Sequence, residues 1–342
     1  MSRRSRPGPF TALATIVVAA LVLVACGGSE REDDDAGGSV AEGEFPVTIE
    51  HAYGSTEITE APRRVVTVGW SSADTAVALG VVPVAIPADT WAGDADGYLP
   101  WLRDAVEEID GTLPTTYIDM PELDIDAVID ADPDLILAVH SGIDQATFQQ
   151  LNGIAPTVAF PGDPWLTGWE DQTRITAQAL GQAERGDELV EEVYDQLEEA
   201  AGEHPEFEGK TFAYVFAGEG GNLAVYLPGD ARVAILEKLG FVIPEVVSER
   251  RAAAGSFTAT LSIEEADELN DVDVIFTWFN DQDEQDALEA NPLFAQIPAV
   301  EEGRYVPLLD RPISMATTAV SVLSVPWVLD AWLPTISKAV GD

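Results

Sequence analysis

The fold class that the amino-acid sequence predicts is α/β: two Rossmann-like lobes joined by one long connecting helix, with a cleft between the lobes. Three observations carry this expectation. A strand–helix–strand rhythm fills residues 64–86, which is about the span of a βαβ unit. A helix-then-strand pattern at 125–139 is echoed at 263–276, favouring two lobes of like architecture. Between the copies lies the longest helical period in the chain, 169–201. A length of 342 residues also exceeds what one hydrophobic core usually organises.

In chain order, residues 45–58 alternate apolar and polar side chains about Gly54-Ser55, predicting a short hairpin ahead of the main sheet. Arg64 to Gly69 is a compact buried-strand run, followed by an apolar helix ending at Gly80 and a second strand over 81–86. Ile125 to Val139 is a short helix leading into a buried strand. Its echo begins with Ser262 and Glu265 in capping-box spacing. Ile175, Ala179, Leu180, Leu189, Val193 and Leu197 keep a helical period across the connecting stretch, with Gly181 and Gly186 as its soft breaks. The second lobe reads as strands at 211–216 and 223–227, a helix over 231–239, the echoed unit to Trp278 and a helix through Leu288. A strand at 305–309 and a final helix at 322–339, with Pro326 predicted to kink it, close the lobe. The domain plan is therefore a leader at 1–25, a tether at 26–43, an N-terminal lobe at 44–166, a connecting helix at 167–203 and a C-terminal lobe at 204–342.

The leader is a secretory signal by its parts: Arg3, Arg4 and Arg6, an apolar run from Phe10 to Val24, then a small-residue cleavage site. That run falls short of the about 20 apolar residues a spanning helix needs. Leu23-Val24-Ala25-Cys26 resembles the lipobox of bacterial lipoproteins, in which the cysteine is diacylated. Cys26 is the only cysteine, so no internal disulfide or Cys-based metal site is available. Residues 27–43 are Gly-, Ser-, Asp- and Glu-rich with almost nothing apolar, which reads as a tether. The protein is expected on the extracytoplasmic face of the cell membrane, held by its lipid.

Charge excludes one class of partner. With 61 acidic against 17 basic residues and a net charge of −44, the chain lacks the clustered Lys and Arg that nucleic acid requires. No Gly-x-Ser-x-Gly elbow or catalytic cysteine is present, and neither the phosphate-loop nor the dinucleotide spacing is met. No catalytic residue is therefore assigned and the chain is not read as an enzyme. His51, His140 and His204 fall in three separate segments, so no His-based metal site is expected.

Ligands of parallel α/β sheets bind beyond the carboxyl ends of the strands. Trp70-Ser71-Ser72 follows the first strand, His140-Ser141 the strand at 135–139, and Trp278-Phe279-Asn280 its echo. Both lobes thus offer polar and aromatic side chains to one cleft.

Several segments resemble the iron-siderophore family (cobalamin and ferric-siderophore type) of periplasmic-binding proteins of ABC importers, in its actinobacterial lipoprotein branch. They are Ala61 to Trp70, Ala76 to Val84, Asp132 to Ala138, Ile154 to Val158, Asn291 to Phe294 and Pro298 to Arg304. Trp91-Ala92-Gly93-Asp94 and Tyr226 to Asp230 point to the branch. The resemblance implies two α/β lobes on one long helix that open only slightly, and a shallow cleft where aromatics and a few Arg hold an anionic iron chelate. It nominates Trp70, Trp91, Tyr226, Arg232, Trp278 and Arg311 as ligand contacts. Glu122 and Glu237 lie nearest the places where family members dock on permease arginines; the family's Glu-Pro is Met120-Pro121 here. The implied partners are an Fe(III)-siderophore, permease subunits with a cytoplasmic ATPase, and the membrane through the lipid anchor, with the protein a monomer. No resident cofactor is expected. Cobalamin or haem is the alternative ligand, with His140 and Tyr226 as candidate haem ligands. An extracellular hydrolase or a structural lipoprotein are readings from other classes.

Overall fold

The computed structural model describes residues 45–252 and 256–341; the leader, Cys26 and the tether lie outside them. The described chain forms two α/β lobes. The leading hairpin pairs β1 (Val47–His51) with β2 (Gly54–Ile58), His51 opposite Gly54. Its turn is thus Ala52-Tyr53, two residues ahead of the Gly54-Ser55 turn expected. Tyr53 fastens this turn to the lobe: its ring packs on Phe148 and Phe160, and its hydroxyl donates to the Ile143 carbonyl at 2.6 Å.

The N-terminal sheet holds β3 (Val65–Thr67), β4 (Ala85–Pro87), β5 (Thr115–Tyr117), β6 (Leu135–Ala138) and β7 (Thr157–Ala159), all parallel in the order β5-β4-β3-β6-β7. Its central strands are buried throughout, as a sheet covered on both faces requires. The chain leaves β3 toward β4 and later returns to β6 on the other side, so the switch point lies between β3 and β6. Helices α1 (Ser72–Ala78), α2 (Pro100–Glu108), α3 (Ile125–Asp130) and α4 (Gln145–Asn152) complete this lobe's crossovers.

The connection is not one helix. It forms a hairpin of α5 (Trp169–Ala179) and α6 (Ala183–Glu203), broken at Gly181, whose φ of 71° suits glycine. The second glycine permits the fold-back: a Cβ on Gly186 would come within 2.4 Å of the Ala177 Cβ. Arg174 reaches Asp187 at 2.8 Å and the Tyr194 hydroxyl donates to Glu170 at 2.5 Å across the pair. Helix α5 packs on α1 and β1, within the N-terminal lobe, and α6 packs on α7 and α13 of the C-terminal lobe.

The C-terminal sheet contains β8 (Phe212–Ala217), β9 (Leu223–Tyr226), β10 (Thr258–Leu261), β11 (Val274–Trp278) and β12 (Tyr305–Leu308), in the order β10-β9-β8-β11-β12. Strands β8, β11 and β12 are parallel, and β9 runs antiparallel to both its neighbours. Around it lie α7 (Ala231–Lys238), α8 (Glu245–Ser248), α9 (Gln282–Glu289), α10 (Pro292–Ala295), α11 (Pro298–Glu301), α12 (Arg311–Thr318) and α13 (Ser324–Val340). The echo is imperfect: Ile263–Leu269 is a 3-10 turn with a kink at Glu265, and Ser262 Oγ accepts from the Glu264 N–H at 3.3 Å. Pro326 sits in the first turn of α13, where a missing N–H leaves no bond unmade; the interior proline is Pro334.

One apolar core runs through both lobes, from Val77 and Leu102 past Leu189 and Val193 to Phe276 and Trp332. Trp327 of α13 also packs on Trp101 of α2, ring centroids 5.4 Å apart. A core shared in this way opposes wide separation of the lobes, since opening would expose it.

Candidate functional site

A cavity of about 360 Å³ lies where the loops after β3, β4, β5 and β11 meet α7 and α12. On the N-terminal side, Gly69 ends the β3 segment at φ 79°; a Cβ there would come within 2.3 Å of the His140 carbonyl. This close approach lets the Trp70 N–H donate to that carbonyl at 3.0 Å, while Gln172 Nε2 donates to the Trp70 carbonyl at 2.8 Å. The Trp70 ring stacks on His140 at 6.0 Å and tilts against Trp165 at 5.1 Å. Ser71, at φ 62°, holds a left-handed conformation unusual for serine, and its hydroxyl donates to the Ala319 carbonyl of the other lobe at 3.1 Å.

Trp91 stands on the loop after β4. Asp89 Oδ1 accepts from the N–H groups of Trp91 and Ala92 at 2.9 and 2.7 Å, and the Asp89 N–H donates to the Gly97 carbonyl at 2.9 Å, closing the loop on itself. The Trp91 indole crosses to the C-terminal lobe: Nε1 donates to Asn280 Oδ1 at 3.1 Å, and the ring meets Trp278 edge-on at 5.8 Å. Arg311 donates to the carbonyls of Asn280 (2.7 and 3.1 Å) and Trp91 (3.4 Å), its guanidinium 5.7 Å from the Trp91 ring. These four residues form a mouth that ties the lobes together.

The C-terminal wall is built around Arg232. Asp230 caps α7 through the Arg232 N–H at 3.0 Å and holds the guanidinium at 2.9 and 3.0 Å. Arg232 also donates to Thr318 Oγ1 at 2.7 Å and lies 4.0 Å over the Tyr226 ring. Burial opposes its charge, yet Asp230 first and then Tyr226 hold its pKa above the ordinary arginine value. Trp278 stacks on Phe216 at 5.6 Å, and its indole N–H donates to the Tyr226 hydroxyl at 3.0 Å.

Three carboxylates line the same space: Asp74, Asp89 and Asp119. Asp74 Oδ2 accepts from Trp101 Nε1 at 2.8 Å and from the Ser321 hydroxyl of the other lobe at 2.5 Å. Burial pushes its pKa up to about 6 against those two bonds. Asp119 Oδ2 accepts from the Gly69 N–H at 3.0 Å. Burial raises its pKa, the Gly69 bond lowers it, and the charge of nearby Asp89 raises it again.

Of the six residues nominated as ligand contacts, Trp70, Trp91, Arg232 and Trp278 line the cavity. Tyr226, 5% exposed, lies beneath it as the support of Arg232 and Trp278. Arg311 stands at the mouth. Glu122 and Glu237 are exposed, one on each lobe; burial raises the Glu237 carboxyl and Lys238 lowers it. His140 sits behind Trp70 with Nδ1 2.8 Å from the Thr167 carbonyl, and burial lowers its pKa. His51 bonds Thr56, and His204 bonds Glu206 and Ser337. Sequence reasoning missed the three aspartates. Asp89 and Asp119 each stand two residues beyond a strand, but the strand expected over 81–86 ends at Pro87 and no strand is expected at Thr115–Tyr117, so the strand-end rule passes them by.

Comparisons with known proteins agree with this geometry. The model of the family described as "Periplasmic binding protein" matches residues 65–311. The chain is 26% identical over 268 residues to the probable siderophore-binding lipoprotein YfiY of Bacillus subtilis, covering 77% of each. It is 26% identical over 274 residues to the ferric enterobactin-binding periplasmic protein FepB of Escherichia coli, covering 77% of this chain and 84% of that one. The crystal structure of PiaA of Streptococcus pneumoniae in complex with ferrichrome superimposes with a TM-score of 0.77 at 32% identity, over 86% of this chain and 98% of that one. The matched span runs from the first residue of β3 to the first of α12 and takes in the cavity residues from Gly69 to Asn280, and the chain belongs to the periplasmic binding protein family.

Proposed function

We propose that this protein is the substrate-binding lipoprotein of an ABC importer, which captures a ferric siderophore between its lobes and delivers it to the membrane permease. The observation that carries the reading is the cavity itself, where Trp70, Trp91 and Trp278 from both lobes face one space beside Arg232. A volume of about 360 Å³ is in the range of small-molecule sites. Relatives named for siderophore binding, and a structural neighbour solved with ferrichrome, support the ligand class. The shared core fits a receptor that closes modestly on its ligand.

The lipid at Cys26 holds the receptor on the extracytoplasmic face of the membrane. Glu122 and Glu237, exposed on opposite lobes, dock it as a monomer on permease subunits driven by an ATPase. The iron arrives inside its chelate, as cargo. Titration of intrinsic tryptophan fluorescence with ferric siderophores, cobalamin and haem tests the assignment. Saturable quenching by a ferric chelate at sub-micromolar concentration, weakened in Trp70→Ala and Arg311→Ala, is the expected result. Tight binding of cobalamin or haem with no response to any iron chelate would keep the fold and overturn the siderophore reading.

A further inference from the structure

The charge of the cavity wall restricts which iron chelate it can hold. Among the described residues three aspartates line the cavity, whereas the one lining cation, Arg232, is already matched by Asp230 at 2.9 Å, with Asp230 itself buried. Arg311 adds one positive charge at the mouth, on an exposed side chain screened by water. The sum facing a bound molecule is therefore negative, and the acids cluster on the N-terminal wall. The whole chain, at −44, adds a long-range field of the same sign. The tryptophans do not offset this bias: an indole face attracts cations and repels anions.

We infer that the cavity selects by charge, accepting neutral or cationic iron(III) chelates of the hydroxamate class and rejecting the trianionic tris-catecholate class. This rests on the receptor reading above and narrows its ligand. The charge balance is elementary. Iron(III) bound by three hydroxamates, each having lost one proton, is neutral; bound by three catecholates, each having lost two, it carries three negative charges. A chelate with a free ammonium tail carries one positive charge more. On packing alone the indoles would accept aliphatic and aryl chelates alike, so the carboxylates discriminate. Asp89 and Asp119 are the determinants of that choice, because they follow adjacent strands and interact with each other.

The test is a set of titrations of the purified protein with ferrichrome (neutral), ferrioxamine B (cationic) and ferric enterobactin (trianionic) at low and at physiological salt. Ferrichrome and ferrioxamine B are expected to bind at least about a hundredfold more tightly than ferric enterobactin, with the gap narrowing as salt rises. In Asp119→Asn, which keeps an oxygen to accept from Gly69, enterobactin affinity should rise about tenfold relative to ferrichrome affinity. A purely structural role for Asp119 would move both ligands together and would overturn the inference. So would wild-type protein that binds enterobactin as tightly as ferrichrome, although the receptor reading would then stand. Failure of all three chelates to bind would remove the receptor reading and this inference with it.

Discussion

The two walls of the cavity are built by different means. The N-terminal sheet is wholly parallel, so its strands end on one side, and three of them hand their following loops to the site: Trp70 after β3, Asp89 and Trp91 after β4, Asp119 after β5. In the C-terminal sheet β9 runs the other way, and only three adjacent strands end together. That lobe supplies Trp278 from a strand end, and takes its cations from the starts of α7 and α12. The parallel sheet thus yields a wall of loops on which Asp89 and Asp119 make no ion pair with the described residues. A mixed sheet yields a wall of helix starts, where Asp230 and Asp310 are needed as caps and Asp230 also neutralises Arg232.

The largest test of this contrast is to break the balanced pair. Arg232→Met leaves Asp230 buried beside no guanidinium, and unfolding stability measured in urea should fall by about 3 kcal/mol. Asp230→Asn combined with Arg232→Met should recover most of that loss. If the single and double variants are equally destabilised, Arg232 acts through packing on Tyr226 and its charge is not balanced within its own lobe.

On the opposite wall the expected effect has the other sign. Asp74 has a folded pKa of about 6, raised from 3.8 by burial. Between those values the folded state holds a proton that the unfolded state has released, so stability falls as pH rises through the window. Above pH 6 the full penalty, about 3 kcal/mol, is present; below about pH 4 it is absent. Asp74→Asn, which keeps an acceptor for Trp101 and Ser321, should therefore stabilise the protein at pH 7.5 and lose that advantage by pH 4. Urea midpoints of both proteins at the two values would show it. An advantage that does not depend on pH would mean that burial leaves the Asp74 pKa at its unfolded value and that the amide stabilises by other means.

The fold was more legible than the site. Buried apolar runs such as 135–138 declare parallel strands without help from the rest of the chain, and Gly80 marks the end of α1 through its φ of 79°. The break between α5 and α6 was not legible. A helical period continues through Gly181, and the contact of Gly186 with Ala177 that makes a hairpin exists only after folding. Within the site, the strand-end rule found Trp70 and Trp278 directly. It passed over Asp89 and Asp119 because β4 and β5 are three residues each and because 61 acids make any one of them uninformative. Tyr226 was placed one layer too high, since no sequence pattern tells an aromatic that lines a cavity from the one that supports it.

A smaller effect tests the close approach behind Trp70. Gly69→Ala forces a Cβ toward the His140 carbonyl at a φ that alanine tolerates poorly. Stability should fall by about 2 kcal/mol, and ferrichrome affinity should fall with it because Trp70 shifts. Unchanged affinity in a destabilised protein would show that the Trp70 ring does not touch the ligand.

The smallest expected change in stability belongs to Trp91, where the two walls meet. Its ring is half-buried and its loop is fastened by Asp89 to backbone N–H groups, so Trp91→Ala removes neither a core side chain nor the loop's own hydrogen bonds. Stability should move by less than about 1 kcal/mol. What the substitution does remove is the indole bond to Asn280 and the edge contact on Trp278, two of the ties that close the mouth. Ferrichrome should then leave faster, with affinity reduced about tenfold and the association rate little changed. Asn280→Ala, which deletes one tie and keeps the ring, should give a weaker version of the same result. A loss confined to association would instead make Trp91 a residue of first encounter, and a loss of several kcal/mol in stability would move it from the mouth into the core.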